Sequence, residues 1–299
     1  MIIRIFKTCL VSLLLSLFSM QPVFAQTLVI AQLSDRPKKD LKQLRPMVEY
    51  AAAELAAVGI TEGRVKLFED TESLITAVRN GDVHWVTETP YTAARLVHEA
   101  GAIPLLMKWK SGQKRYQTFI YTHKDSSINS LADLKGKRIA FEHDDSFSSY
   151  FLPRMVMEKA GYRFNAIENI GSELEPDKIN YVFSRNEKNN LLWTHKQLVE
   201  AGALNNGDWQ NPKRVPESLK SDLRIIYKTE LYPRALELVS PKLDPTVSSA
   251  LKELLLGLDY EEDRDLMKRY EKTTGFEEPI AELPELLEEI YSYRKAGTE

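Results

Sequence analysis

The chain has 299 residues, with 40 lysines and arginines against 43 aspartates and glutamates, a net charge of −3 and a single cysteine. A hydrophobic fraction of 43% beside 28% charged residues excludes a disordered, collagen-like or polytopic membrane chain, and the length suffices for about two ordinary domains. Near-neutrality without a basic block gives no support to nucleic-acid binding, and one cysteine forms neither an intramolecular disulfide nor a thiolate metal cluster.

Residues 1–25 read as an export signal. Arg4 and Lys7 give a basic start, residues 9–18 an apolar run, Pro22 a break, and Ala25 the small residue before cleavage. The run of 10 residues fits the ~7–15 of a signal core and falls short of the ~20 of a membrane span. An uncleaved anchor is the weaker alternative. Cleavage after Ala25 leaves 274 residues with 38 basic and 43 acidic side chains, a net charge of −5, and no thiol. The expected location is the periplasm.

Residues 27–33 (TLVIAQL) read as a buried strand. The next helix places Leu44, Met47, Val48, Ala51, Leu55 and Val58 on one face and stops at Gly59, with Pro46 expected in its first turn. A strand at 64–69 precedes a helix that Thr71 caps and Asn80-Gly81 ends. Residues 83–87 are strand-like, and Thr89-Pro90 opens a helix running to Gly101. Strands at 103–109 and 116–122 lead to a short helix at 131–134, a strand at 138–142 and a helix at 146–160. Residues 171–181 look irregular, 187–200 helical, and 223–228 a strand that could return the chain to its first lobe. The remainder reads as helices at 247–258, 264–270 and 286–293. Alternating strands and helices predict an α/β fold on mostly parallel sheets. With no Gly/Ser linker, two lobes would be joined by crossing strands, which is a hinge architecture.

Three stretches can carry chemistry. Strand 138–142 runs into a serine-rich helix start, where free backbone N–H groups and the hydroxyls of Ser146, Ser148 and Ser149 would hold an anion; a plain serine cap is an equal reading. Glu88, Thr89 and Tyr91 open another helix just after a strand, where a capped, proline-led first turn is the commoner explanation. Tyr116 lies in a third stretch that is otherwise an ordinary strand. His143, Asp144, Asp145 and Ser146 supply catalytic-triad residue types, but adjacent residues rarely align a nucleophile, base and orienter. There is no G-x-S-x-G, H-E-x-x-H or phosphate-loop glycine run, and no cofactor is expected. A metal site around His143 is the weaker reading of that cluster.

The run Asp125-Ser126-Ser127-Ile128, Ser130-Leu131-Ala132-Asp133-Leu134-Lys135-Gly136-Lys137, Ala140-Phe141-Glu142, Ser146-Phe147-Ser148-Ser149 and Pro153 resembles the "DSxI-x-SLxDLKGKxxAFxDPxSTSGxxxP" pattern of phosphate/phosphite/phosphonate-type periplasmic substrate-binding proteins of ABC transporters. Gly81-Asp82-Val83 with Glu88-Thr89-Pro90-Tyr91, and Val199-Glu200-Ala201-Gly202-Ala203, are similar to two further family segments. The resemblance implies the type II periplasmic-binding fold, two α/β lobes with a ligand cleft at the hinge between them. Behind the signal read at 1–25, it suggests one lobe from 26–119 plus 230–299, and another from 120–229. It also implies a non-catalytic, monomeric binder of a small polar or anionic ligand such as phosphate, phosphite or a phosphonate, serving a membrane permease.

Carried over by position, the family's anion clamp falls on Ser146, Phe147 and Ser148, and its cleft aromatic with neighbours on Glu88, Thr89 and Tyr91. Phe147 stands for a threonine, Ser149 for a glycine, and Glu200 for an aspartate that could meet an amino group or simply end a helix. His143-Asp144-Asp145 puts two carboxylates beside the expected anion, each costing on the order of 1 kcal/mol at 4 Å in water and more in a dry cleft. A module reporting its bound state to a membrane kinase or cyclase is the alternative function. An enzyme on the same fold, such as a pyrimidine-precursor synthase, is disfavoured by the export signal and the missing thiols.

Overall fold

The computed structural model describes residues 26–296, so the expected signal lies outside the described residues. Among them, no helix is long and apolar enough to cross a membrane. The chain opens with β1 (Gln26–Leu33), helix Pro37–Glu54, β2 (Ile60–Phe68), helix Thr71–Asn80, β3 (Trp85–Glu88), helix Pro90–Ala100 and β4 (Ile103–Lys108). It crosses through β5 (Arg115–Tyr116) into β6 (Thr118–His123), β7 (Arg138–Phe141), helix Leu152–Lys159, β8 (Phe164–Ala166), β9 (Ile179–Phe183), helix Glu187–His195, β10 (Ala201–Asn205) and β11 (Leu223–Lys228). It returns through β12 (Tyr232–Pro233) to β13 (Ala235–Val239), helix Pro245–Leu256, β14 (Phe276–Glu277) and helix Leu283–Ala296.

Two six-stranded sheets result, ordered β14-β4-β13-β3-β1-β2 and β11-β6-β10-β7-β9-β8. Each is parallel over one half, where helices join most of the strands and an irregular stretch joins β8 to β9. Strands that carry the chain between sheets run the other way: β13 is antiparallel to β3 and β4, and β6 to β10 and β11. Between the sheets, β5 and β12 form a two-stranded antiparallel ribbon, pairing Tyr116 with Tyr232 and Arg115 with Pro233. These are the two crossings, lying side by side.

Several expectations change. Residues 187–200 do not form one helix: it stops at His195, and Ala201–Asn205 becomes a fully buried strand. The C-terminal region is not all helical, since Ala235–Val239 is a buried inner strand. Both strands read poorly because a short buried run shows no periodicity that separates strand from helix. β9 likewise emerges at the end of the stretch read as irregular. β11 does not return the chain; it is the edge of the second sheet, and the return follows it through β12. Pro46 lies inside its helix rather than in the first turn, which Pro37 occupies. Its missing N–H frees the carbonyl of exposed Lys42, where water can compensate.

At Gly63, β2 runs close against a helix backbone. A Cβ there would stand 2.3 Å from the Val48 carbonyl oxygen of helix Pro37–Glu54. Backbone cannot yield as a side-chain tip can. Gly63→Ala should therefore lower the unfolding free energy by about 1–3 kcal/mol in urea titration. An unchanged midpoint would show that the helix can move away freely.

Candidate functional site

The serine segment begins where β7 ends. Ser146 N donates to the His143 carbonyl, 3.1 Å, and the Phe151 N to the Ser146 carbonyl, 2.9 Å, so the chain makes a π-type turn over Phe147–Phe151 before the regular helix Leu152–Lys159. The expected continuous helix from 146 thus starts with a wider turn. The Ser146 hydroxyl caps it, accepting from Ser149 N at 3.2 Å. The Ser149 hydroxyl is fully buried, donating to the Ala203 carbonyl at 2.6 Å and accepting from Asn190 Nδ2 at 2.8 Å. Its role is to tie the turn to β10. Ser148 is held through its carbonyl, which accepts from Thr118 Oγ1 at 2.6 Å, while its hydroxyl makes no hydrogen bond to the described residues.

Phe147 does not face solvent. Its ring lies 6.0 Å from Tyr116, 5.8 Å from Tyr232 and 6.1 Å from Phe151. It thus sits against both crossings. Although Phe147, Phe151, Leu152 and Met155 follow a strand of the second sheet, they share an apolar cluster with Ala93, Leu236, Leu283 and Leu287 of the first. The same short helix turns Met157 into the core of the second sheet. The serine turn is therefore carried on the segment that the two lobes hold between them.

On the facing side, the fully buried Tyr116 has its hydroxyl pKa raised by burial, against the nearby Arg234. The Tyr91 ring packs 4.4 Å from that of Phe151, tilted by 39°, and burial raises its pKa against the opposing pull of Arg294. Thr89 precedes the helix without a side-chain cap. The Glu88 carboxylate accepts from Leu33 N at 2.7 Å and Thr89 N at 3.2 Å, locking the end of β1 to the helix start. Burial pushes its pKa up to about 7, with these hydrogen bonds and Lys110 pulling the other way.

Ser146, Phe147, Ser148, Tyr116 and Tyr91 are thus drawn together through Phe147 and Phe151, with Glu88 and Thr89 just before Tyr91. Glu200 is not. It precedes β10 at the end of the sheet opposite the serine turn, and its carboxylate accepts from Arg138 N, 2.8 Å, and Arg138 Nη1, 3.3 Å. Asp144 and Asp145 are exposed by area, although partial burial and then the neighbouring Asp144 raise the Asp145 pKa. With His143 they bring three ligand-type atoms within 4.8 Å.

Three polar groups near the hinge had no sequence signal. Arg234 follows β12 and holds its guanidinium 4.6 Å above the Tyr116 ring. Glu187 and Asp208 share the Asn205 amide, at 3.2 and 2.9 Å, beside a cavity of about 30 Å³ also lined by Leu204 and Arg214. Burial, then Glu142 and Asp208, raise the Glu187 pKa well above the carboxylate range. Burial opposes the Asp208 charge, yet hydrogen bonds from Glu187 and Asn205 hold its pKa below the ordinary value. Glu187 reads in sequence as nothing more than an acidic first-turn residue.

Residues 30–282 match the family model for the phosphonate periplasmic substrate-binding protein of ABC transporters. The chain belongs to this family. Its members are solute-binding transport proteins of the periplasm rather than enzymes, which entails a small ligand and a membrane permease. Among solved structures, XAC2383 from Xanthomonas citri bound to chloride ion is 30% identical, with TM-score 0.83, covering 90% of this chain and 99% of that one. The same protein bound to ATP is 29% identical, with TM-score 0.84 and coverages of 91% and 99%. PhnD1 from Prochlorococcus marinus in complex with methylphosphonate shares the two-lobed fold at 18% identity, TM-score 0.67, with coverages of 91% and 99%.

Proposed function

We propose that this family member is an exported, monomeric solute-binding protein of an ABC uptake system. It closes the lobes 26–119 plus 230–299 and 120–229 on a small oxyanion such as phosphate, phosphite or a phosphonate. Ser146, Phe147 and Ser148 supply one wall, and Tyr116, Thr89 and Tyr91 the other. The observation that carries this reading is the position of the serine turn, brought against both crossings by Phe147 while the Ser148 hydroxyl remains available. At a hinge, a ligand bridging the two walls favours the closed form by its differential affinity for it, and the closed form is what a permease can recognise. Chloride and ATP on XAC2383, and methylphosphonate on PhnD1, are all anions, which supports an anionic ligand here. The family description favours transport over sensing.

Ser148→Ala removes a donor without disturbing a hydrogen bond within the fold. It should weaken methylphosphonate or phosphate binding by roughly 10- to 100-fold in calorimetry, as for a hydrogen bond to a charged group. Unchanged affinity would remove Ser148 from the site. The mass of protein recovered from the periplasm should correspond to a chain starting at Gln26; a mass including residues 1–25 would refute cleavage after Ala25.

A further inference from the structure

We propose that Arg234 contacts the ligand's anionic group from the hinge side, making it a specificity-determining residue for a doubly charged oxyanion. The inference rests on the binding function proposed above and names a residue outside the serine turn and the helix starts.

Position comes first. Arg234 N donates to the Lys114 carbonyl at 3.3 Å, and the preceding Pro233 is paired with Arg115, so the residue is fixed where the return crossing enters β13. Its guanidinium lies over Tyr116, whose ring also meets Phe147 of the serine turn. The arginine and the turn therefore approach the same tyrosine.

Charge comes second. Arg234 has no carboxylate within 4.0 Å among the described residues, and its Nε is shut off from water without a hydrogen-bond partner. Several other charges near the hinge are paired. Lys108 and Lys110 share Glu271, at 2.6 and 2.5 Å, and Lys108 also faces Glu237 at 3.3 Å. Asp208 pairs with Arg214 at 3.6 Å. Burial, then Glu142 and Asp208, push the Glu187 pKa up, and Arg234 pulls it the other way. The Arg234 guanidinium makes no ion pair with the described residues, and the Tyr116 ring beneath it excludes water and favours a cation. A partly dry donor with an unused N–H is a strong partner for an oxyanion, because the low dielectric that penalises it alone strengthens the pair. An extra positive charge favours a dianion over a monoanion.

The test uses calorimetry on the full mature chain and Arg234→Gln, with methylphosphonate, phosphate and sulfate as probes, and Arg234→Lys as a charge-retaining control. Arg234→Gln should lose at least 30-fold in affinity for whichever probe the wild type binds, with an unfolding midpoint equal to or above the wild type's. Arg234→Lys should recover part of the loss. For methylphosphonate, wild-type affinity should rise as the second proton leaves, and Arg234→Gln should flatten that rise. Equal affinity in wild type and Arg234→Gln overturns the inference while leaving the binding function intact. A lower unfolding midpoint with unchanged affinity assigns Arg234 to the fold alone and likewise overturns it. Wild type that ignores all three probes overturns this inference and the oxyanion reading together.

Discussion

Lys108→Met should lower the unfolding free energy by about 3–5 kcal/mol, the cost of removing one partner from a buried ion cluster. Lys108 is fully buried, as is Glu237, and Glu271 is nearly so. The ammonium lies 2.6 Å from Glu271 and 3.3 Å from Glu237, hydrogen-bonds Thr87, and sits 4.3 Å above the Tyr270 ring. Burial opposes its charge, yet the two carboxylates hold its pKa above the ordinary lysine value. Glu237 is further tied to Trp85 Nε1 at 2.6 Å and the Tyr270 hydroxyl at 2.9 Å, linking β13 to β3 and the C-terminal region. Methionine fills the volume but takes away the cation that faces the buried Glu237. Adding Glu237→Gln should return a large part of the loss, because the carboxyl left without its cation goes with it. Urea unfolding of both variants checks this; a single variant as stable as wild type would show the cluster contributes little.

Glu88→Gln should change how stability depends on pH. In the fold the Glu88 pKa is about 7, against 4.5 for an unburied glutamate, so the folded state binds more protons between those values. The sign follows from linkage. The stabilisation from the protonated group is full below the unfolded pKa and is lost as pH rises through the folded one. Between pH 4.5 and 7.5, wild type should lose up to about 3 kcal/mol relative to Glu88→Gln, whose amide does not titrate. Urea unfolding at pH 5 and 7.5 measures this as a difference of differences. A gap that stays constant, or that widens in favour of wild type at high pH, would place the Glu88 pKa near its ordinary value.

Much of the architecture was legible in the sequence, and the failures share a cause. Helices with a polar face and a glycine stop, such as the one ending at Gly81, showed their period directly. β10 and β13 did not, because every residue in each is buried and no alternation survives. The serine turn was legible as a local feature, since a strand running into serines needs no partner to be recognised. Division of labour inside it was not: only the fold shows Ser149 bonded to Ala203 and Asn190 while Ser148 keeps its hydroxyl. Arg234 and the Lys108 cluster were invisible for the same reason. A charged residue beside a strand reads as surface until residues far away in the chain enclose it, as Glu271 encloses Lys108.

The most direct test of the central claim is calorimetric titration of the mature wild-type protein with methylphosphonate, phosphite and phosphate. At least one should bind saturably with one-to-one stoichiometry and raise the unfolding temperature by mass action. No heat and no stabilisation with any of the three would contradict the assignment of the hinge to a small oxyanion.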